Sequence, residues 1–217
     1  MNLTMQRMSC LLFAVVAANC LHAQGQESVD RPHVNVGDSW TYKSTSFNVR
    51  DPHDDPKVDK TDQYTFEVTA TSQSELKGSW GTYDTDWNLK ARGVSSYDPA
   101  EVIFRFPLKA GERFKNSYKR THGPSNSTRT EVVDIKAMGW EEVDVPAGKF
   151  RALRISVFGT SFETKENGRP TITDRFRKQI WYVPSVKRWV KRSYEGRGTD
   201  GRLSYITDEV LVEVKLK

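Results

Sequence analysis

Strict alternation of apolar and polar residues is the feature of this sequence that most constrains its fold. Tyr64, Phe66 and Val68 share one side of a stretch whose other side is polar, and the same period returns in segments 153–157 and 205–216. Successive side chains of a β-strand point to opposite faces, whereas a helix repeats about every 3.6 residues. The alternation therefore predicts strands that each bury one face.

The last segment of the chain shows this pattern over its greatest length. An Asp-Gly dipeptide at 200–201 precedes it and favours the positive φ angles of a tight hairpin turn. Its apolar side, which we expect to face the core, comprises Ile206, Val210, Val212, Val214 and Leu216. No clean helical stripe follows residue 23. The predicted fold is all-β: an antiparallel meander that is rolled into a barrel or half-barrel, or folded as a sandwich.

The N-terminus has the pattern of a secretory signal peptide. Arg7 supplies a positive charge, an apolar run follows at 11–18, and small residues lead to an expected cleavage site after Ala23. The run is shorter than the about 20 apolar residues that a membrane span needs, so we expect no transmembrane span in the cleaved chain. The predicted organisation is a signal peptide at 1–23 and a single antiparallel β domain at 24–217.

Export places the mature protein in the periplasm or outside the cell. Lipidation at Cys20 is the disfavoured alternative, because Asn19 is larger than the residue that this type of cleavage requires. Cys10 and Cys20 are the two cysteines of the sequence, so cleavage after Ala23 removes every thiol. The mature chain is then expected to have no disulfide, no thiolate metal site and no cysteine nucleophile.

The charge of the chain is mildly basic. Cleavage removes Arg7, one of 33 basic residues, and none of the 28 acidic residues, which changes the formal net charge from +5 to +4. In an exported protein such a surplus suits an envelope lipid or glycan better than nucleic acid. Aromatic residues make up 11% of the sequence, a fraction typical of a chain with a packed core.

Four short motifs spread over most of the mature chain carry a resemblance. They are VGDSWTY at 36–42, FPLKAG at 106–111, WEEVDVPAGKF at 140–150 and WYVP at 181–184. Their combination resembles uncharacterised, secreted, β-rich proteins of Gram-negative bacteria. The resemblance implies export and an antiparallel β fold, and it assigns no activity and no site residue.

One candidate ligand site lies in the segment 80–89, which we expect to form a strand. Trp80, Asp84 and Asp86 would share one face of it. Two carboxylates at positions i and i+2 lie about 7 Å apart, as in an inverting glycosidase. An aromatic ring beside acids also suits a sugar or a cation, and an ordinary solvated sheet face is the simplest interpretation.

A second candidate site is the basic strand 186–194. If its valine face points inward, Arg188 and Arg192 point inward too, and a buried arginine needs a carboxylate partner or a wet cavity. Trp189 would then stand outside between two lysines, where it could contact an anionic polymer or headgroup. The alternative is an ordinary strand whose charges pair with neighbouring strands.

Other motifs predict no cofactor, metal or catalytic group. The sequence GRGTDG at 196–201 matches the dinucleotide fingerprint, but a strand pattern follows it where that site needs a helix. The acidic segment 51–59, which contains His53, lacks the spacing of a calcium or zinc site. No Gly-x-Ser-x-Gly nucleophile elbow is present in the sequence.

These observations favour an exported, non-catalytic β domain that binds an apolar or anionic component of the cell envelope. An envelope interaction or assembly factor that works through its surface is the alternative. An uncharacterised hydrolase is the second alternative, with Asp84 and Asp86 as its candidate acids. The identity of the partner is left open by the sequence.

Overall fold

The computed structural model describes residues 27–49, 56–125, 127–164 and 169–217. The predicted signal peptide, with Cys20, lies outside these residues, as does most of the acidic segment. The described strands are β1 (Ser28–Val29), β2 (Ser39–Asn48), β3 (Lys57–Thr71), β4 (Leu76–Gly78), β5 (Gly81–Tyr83), β6 (Leu89–Arg92), β7 (Ser95–Glu101), β8 (Leu108–Lys109), β9 (Arg113–His122), β10 (Ser127–Val145), β11 (Gly148–Thr164), β12 (Pro170–Val183), β13 (Arg188–Gly198) and β14 (Leu203–Lys215). A 3-10 turn, Pro184–Val186, joins β12 to β13.

Twelve of these strands form a closed antiparallel barrel. They follow one another around it in chain order from β2 to β7 and from β9 to β14, and β14 returns to pair with β2. The strands β1 and β8 form a separate two-stranded ribbon. The predicted all-β antiparallel meander is confirmed, and the closed barrel is the form that it takes.

Two of the alternating segments bury the face that the sequence predicts. On β3, Phe66 and Val68 are at most 1% exposed. On β11, Leu153, Ile155 and Val157 are equally buried. Removing a side chain of this size from water contributes about 1.5–3 kcal/mol, so these faces supply a large part of the core energy.

The prediction for the last strand is wrong over its first half. The inward side of β14 carries Thr207, Glu209 and Leu211; Glu209 is 6% exposed and Leu211 is fully buried. Leu211 pairs with Tyr42, and Glu213 pairs with the next residue of β2, Thr41. The residue between Leu211 and Glu213 is therefore extra, and it changes the phase of the alternation. The alternation correctly divided the first half of β14 into a polar and an apolar face. The polar face is the one that points inward, because it lines a cavity.

Aromatic side chains fill one end of the barrel. Trp40, Phe66, Tyr83 and Trp87 form a cluster with ring centroids 5.5–6.2 Å apart, which we call the aromatic floor. Edge-to-face contacts dominate within it, as the quadrupoles of aromatic rings favour. The indole nitrogen of Trp40 donates a hydrogen bond of 2.8 Å to the carbonyl oxygen of Val186, which fixes the 3-10 turn against the floor.

A buried carboxylate ties the two ends of the described chain together. Asp38 Oδ1 accepts a hydrogen bond from the backbone N–H of Lys217 at 2.7 Å. Its Oδ2 accepts from the backbone N–H of Asn35 and from Lys187 Nζ, each at 2.9 Å. Burial favours the neutral acid, but these two backbone hydrogen bonds and the charge of Lys187 together hold the pKa of Asp38 below its ordinary value.

Replacing this carboxylate is expected to weaken the fold in a pH-dependent way. Asp38→Asn leaves Lys187 without its charge partner and should lower the free energy of unfolding by about 2–3 kcal/mol at pH 7. The folded pKa lies below the ordinary value of about 3.9, so the wild-type advantage is complete above that pH and is lost as the pH falls through the folded pKa. Urea unfolding at pH 7 and pH 3 measures the difference.

The matched control for this experiment is Asp144→Asn. Asp144 is exposed and lies 3.7 Å from Lys149, so its loss should change stability by less than about 0.5 kcal/mol. Equal effects of the two substitutions, or a difference that persists unchanged at pH 3, would contradict the role of Asp38.

Candidate functional site

The barrel encloses a cavity of about 870 Å³ above the aromatic floor. Among the described residues that line it, Leu89 is the one aliphatic side chain. Eight lining residues are aromatic: Tyr64, Phe66, Trp80, Tyr83, Tyr97, Trp189, Tyr194 and Tyr205. A smaller chamber of about 250 Å³ shares Tyr97 and Lys178 with it and continues towards β9 and β10. The volume lies within the range of small-molecule sites.

Charged side chains enter this cavity from β13 and β14 as an ion pair. Arg192 Nη2 lies 2.6 Å from Glu209 Oε2, and both side chains are largely buried. Burial disfavours the charged form of Glu209, but the charge of Arg192 and hydrogen bonds from Arg192 and Tyr64 hold its pKa below the ordinary value. Burial, together with the negative charge of Glu209, raises the pKa of Tyr64 to about 12.

A second set of charges lies where the two chambers meet. Lys178 Nζ donates to Glu101 Oε1, and Arg120 lies 3.3 Å from Glu131. The hydroxyl of Tyr118 donates a hydrogen bond of 2.6 Å to Glu131 Oε2. Burial and the nearby carboxylates Glu101 and Glu131 raise the pKa of Tyr118, which is therefore a neutral donor at every physiological pH. Each acid of this set has a cationic partner.

Arg188 is the exception among the buried charges. It is 2% exposed, lines the cavity, and forms no ion pair with a carboxylate of the described residues. Its Nε and Nη1 are buried without a hydrogen-bond partner. Aromatic rings surround its guanidinium instead, with Phe66 at 3.7 Å, Trp189 at 4.0 Å and Trp87 at 4.6 Å from Cζ to the ring centroid.

The basic strand thus has both of its arginines at the cavity, and the sequence-based placement of Arg188 and Arg192 is confirmed. The placement of Trp189 on the outer face is wrong, because Trp189 is 6% exposed and stacks on Tyr42 at 5.9 Å. Tyr182 pairs with Trp189 while the preceding residue of β12 pairs with Lys191, so one extra residue of β13 forms a bulge. The bulge breaks the strict alternation and turns Trp189 inward. Ligand binding by these residues stays a prediction.

The candidate acids of segment 80–89 do not share a strand face. The segment is divided into β5 and β6 by a loop, in which Asp84 Oδ1 accepts hydrogen bonds from the backbone N–H groups of Asp86 and Asn88 at 2.9 and 2.8 Å. Asp86 forms an ion pair with Arg31. Asp84 therefore shapes a turn, as aspartate does in many loops, and the prediction of a paired carboxylate face is wrong.

Trp80 lies at the rim of the cavity. It is 52% exposed, its indole nitrogen donates to the carbonyl oxygen of Thr65 at 2.8 Å, and its ring meets Tyr64 edge-on at 6.2 Å. This hydrogen bond fixes the ring beside the mouth of the site. A ligand-binding role for Trp80 stays a prediction that this position supports.

Sequence reasoning missed the acids that the cavity holds. Glu101, Glu131 and Glu209 lie on three different strands and look like ordinary surface glutamates in the sequence. The sequence signal for burial of Glu209 was its position two residues before Leu211, which places both side chains on the same face of a long strand. Within the described ranges, no group of three or more metal-binding side chains occurs. The described residues also contain no helix that is long and apolar enough to cross a membrane.

Removing one member of the Arg192–Glu209 pair is expected to destabilise the protein strongly. Arg192→Met leaves Glu209 buried without its partner and should lower the free energy of unfolding by about 3–5 kcal/mol. The double variant Arg192→Met/Glu209→Leu removes both charges and should recover most of this loss. Lys215→Met breaks an exposed pair with Glu213 and serves as the control, with an expected effect below about 1 kcal/mol.

Urea unfolding of the four proteins measures these differences. A double variant that is no more stable than Arg192→Met would contradict the view that the unpaired charge causes the loss.

Comparison with solved structures finds three bacterial proteins that are similar to this chain. A candidate lipoprotein from Parabacteroides distasonis superposes with a TM-score of 0.51 at 11% sequence identity, over 88% of this chain and 100% of that chain. A candidate exported protein with a YmcC-like fold from Bacteroides fragilis gives 0.49 at 13% identity, over 87% and 99% of the two chains. The hypothetical lipoprotein YmcC from Escherichia coli gives 0.40 at 8% identity, over 80% and 84%.

The superposition on the Parabacteroides protein shows a shared fold, and its 11% sequence identity assigns no activity. No protein-family model matches the chain, and no curated protein matches it by sequence. The function must therefore be argued from the cavity itself.

Proposed function

We propose that this chain is an exported, non-catalytic protein that binds an apolar or anionic component of the cell envelope inside its barrel. The observation that carries the proposal is the cavity of about 870 Å³, whose walls combine aromatic rings with charged side chains. Export is supported by the signal-peptide pattern at residues 1–23. It is further supported by neighbours in fold that are named as exported proteins and lipoproteins.

The interior is built differently from a packed core. Away from the cavity, apolar side chains such as Trp40 and Leu153 are fully buried and fill the space. Around the cavity, inward positions of β2, β13 and β14 carry Ser44, Thr207, Glu209 and Arg192 instead. Apolar residues at these places would cost the fold little stability, because buried ion pairs are often no better than well-packed apolar side chains. Their retention supports a site that must stay open and polar.

The carboxylates of the cavity support binding rather than hydrolysis. Glu101, Glu131 and Glu209 are each held by a cation, and the pKa of Glu209 is lowered, whereas a general acid requires a raised pKa. Asp84 and Asp86, the acids of the hydrolase alternative, are committed to a turn and to an ion pair with Arg31. The proposal therefore assigns no catalytic residue.

A surface feature favours a second candidate function, that of an envelope interaction or assembly factor. Phe158 and Val132 are 55% and 41% exposed on the outer face of the barrel, beside a shallow groove of about 520 Å³. Arg175, Arg177 and Arg197 border this groove. Exposed apolar residues that are grouped in this way are typical of contact surfaces. A stoichiometric protein partner that is lost on Phe158→Ser would favour this function over the first.

The cavity hypothesis predicts a bound molecule that a cavity-filling substitution excludes. The full chain should be expressed with export in a Gram-negative host, purified without denaturant and analysed by native mass spectrometry. We expect a non-protein mass on the wild type that denaturation releases. Ser44→Trp places a large ring in the cavity and should remove this mass, because Ser44 lines the cavity wall.

The neighbouring substitution Lys43→Trp is the matched control. Lys43 belongs to the same strand, is exposed, and lies outside the cavity lining, so its variant should retain the bound mass. A wild type without any bound mass, or an equal mass on Ser44→Trp and wild type, would contradict binding inside the barrel.

A further inference from the structure

Arg188 differs from every other buried charge that the structure describes. Five charged side chains are less than 9% exposed, and four of them, Asp38, Glu101, Glu131 and Glu209, have an ion-pair partner. Arg188 has none among the described residues. A buried charge without a partner carries a large desolvation cost, and natural proteins retain such a cost chiefly where function requires it.

The aromatic rings around Arg188 offset this cost only in part. Phe66 lies 3.7 Å from Cζ, and Trp40 and Tyr83 lie at 5.3 and 5.8 Å, so the rings stabilise the positive charge through cation–π attraction. Ring faces do not replace the oxygen acceptors that the guanidinium N–H groups prefer, and Nε and Nη1 remain without partners. The guanidinium is therefore held in place while the donors on Nε and Nη1 stay unused.

A second unused donor lies beside Arg188. Trp189 Nε1 is buried without a hydrogen-bond partner, and the Trp189 ring lies 4.0 Å from the guanidinium of Arg188. Both residues line the same cavity. Two other cations of the cavity lining, Arg192 and Lys178, are largely buried and are engaged by Glu209 and Glu101. A third, Arg92, is exposed to solvent. The buried positive charge without an acid partner among the described residues is therefore that of Arg188, next to the aromatic floor.

We infer that Arg188 and Trp189 form an anion-binding position, and that the ligand is a ring-bearing organic acid whose oxyanion is held there. The inference rests on the proposed function and narrows it from an apolar or anionic component to an anionic one. A planar guanidinium is the side chain best suited to bind carboxylate or phosphate oxygens. An oxyanion at this place would complete the missing ion pair of Arg188.

The remaining side chains of the cavity lining indicate the chemical type of the rest of the ligand. Eight aromatic side chains and one aliphatic side chain line the cavity. Aromatic faces stack on flat or ring-shaped molecules, whereas an acyl chain is accommodated by aliphatic walls. Tyr194, whose pKa burial raises to about 12, stays protonated and can donate a hydrogen bond to a polar group on such a ring. A ring with an acidic group fits this surface better than a fatty acid.

The test compares acids with neutral molecules of the same shape on the wild-type protein. Titrations by calorimetry and by tryptophan fluorescence use benzoate against benzamide, glucuronate against glucose, and glucose 6-phosphate, with laurate as the acyl-chain probe. We expect at least one ring acid to bind about tenfold or more tightly than its neutral counterpart, because a charge-assisted hydrogen bond forms only with the acid. Which acid binds best distinguishes an aromatic acid, a sugar carboxylate and a sugar phosphate.

Substitution then assigns the effect to Arg188. Arg188→Met removes the charge and should lower the affinity for the preferred acid about tenfold or more while leaving its neutral counterpart unchanged. Arg151→Met is the matched control: it removes the same charge from an exposed arginine that lies outside the cavity lining, so it should change acid affinity by less than about threefold. The wild-type comparison needs no variant and holds even where Arg188→Met folds poorly.

Several results would overturn the inference. These are equal affinity for acids and their neutral counterparts, undiminished acid binding by a folded Arg188→Met protein, no binding of any ring acid, or tighter binding of laurate than of every ring acid. A cavity-bound mass on the purified protein, combined with any of these results, would retain the proposed function and reject the anion position. Acid binding without a co-purified mass would support the anion position alone.

Discussion

The backbone pairing between β14 and β2 is the constraint on which the rest of this structure depends. It runs from Ile206 opposite Phe47 to Lys215 opposite Ser39 and closes the meander into a barrel. Closure removes the free sheet edges and creates an interior that twelve strands can line. Without this closure, Glu209 and Arg192 would lie on the open face of a sheet, where water would solvate both charges and their pairing would contribute little stability.

The interior divides into two halves with different chemistry. The aromatic floor and the apolar residues of β11 supply the packing of the core. Above them, ion pairs keep polar groups inside the barrel without leaving them uncompensated, and they hold a cavity open at a cost in packing. Arg188 lies at the boundary between the two halves, with rings on its faces and no acid beside it. The proposed anion-binding position therefore lies at this boundary.

Two bulges explain where reasoning from the sequence failed. The extra residue of β13 turned Trp189 inward, and the extra residue of β14 exchanged the faces of that strand. A bulge adds one residue to one strand only, so in the sequence it appears as a shift in the phase of the alternation. Such a shift is hard to distinguish from an ordinary irregularity of the pattern. The loop at Asp84 failed for another reason: its aspartate accepts local backbone hydrogen bonds, which compete with the extended strand that the pattern predicted.

The sequence alone determined the all-β class, the antiparallel meander and the buried faces of β3 and β11, because these follow from local period. It offered the inward position of Arg188 and Arg192 as one of two interpretations. Tertiary structure alone decided that the sheet closes, that polar faces line one half of it, and that Glu101, Glu131 and Glu209 reach their partners across strands distant in the chain. The reason is physical: alternation depends on adjacent residues, whereas a cavity depends on how many strands close and at which register. That Arg188 lacks an acid partner among the described residues is evident only from the tertiary structure, in which each of the other buried charges forms an ion pair.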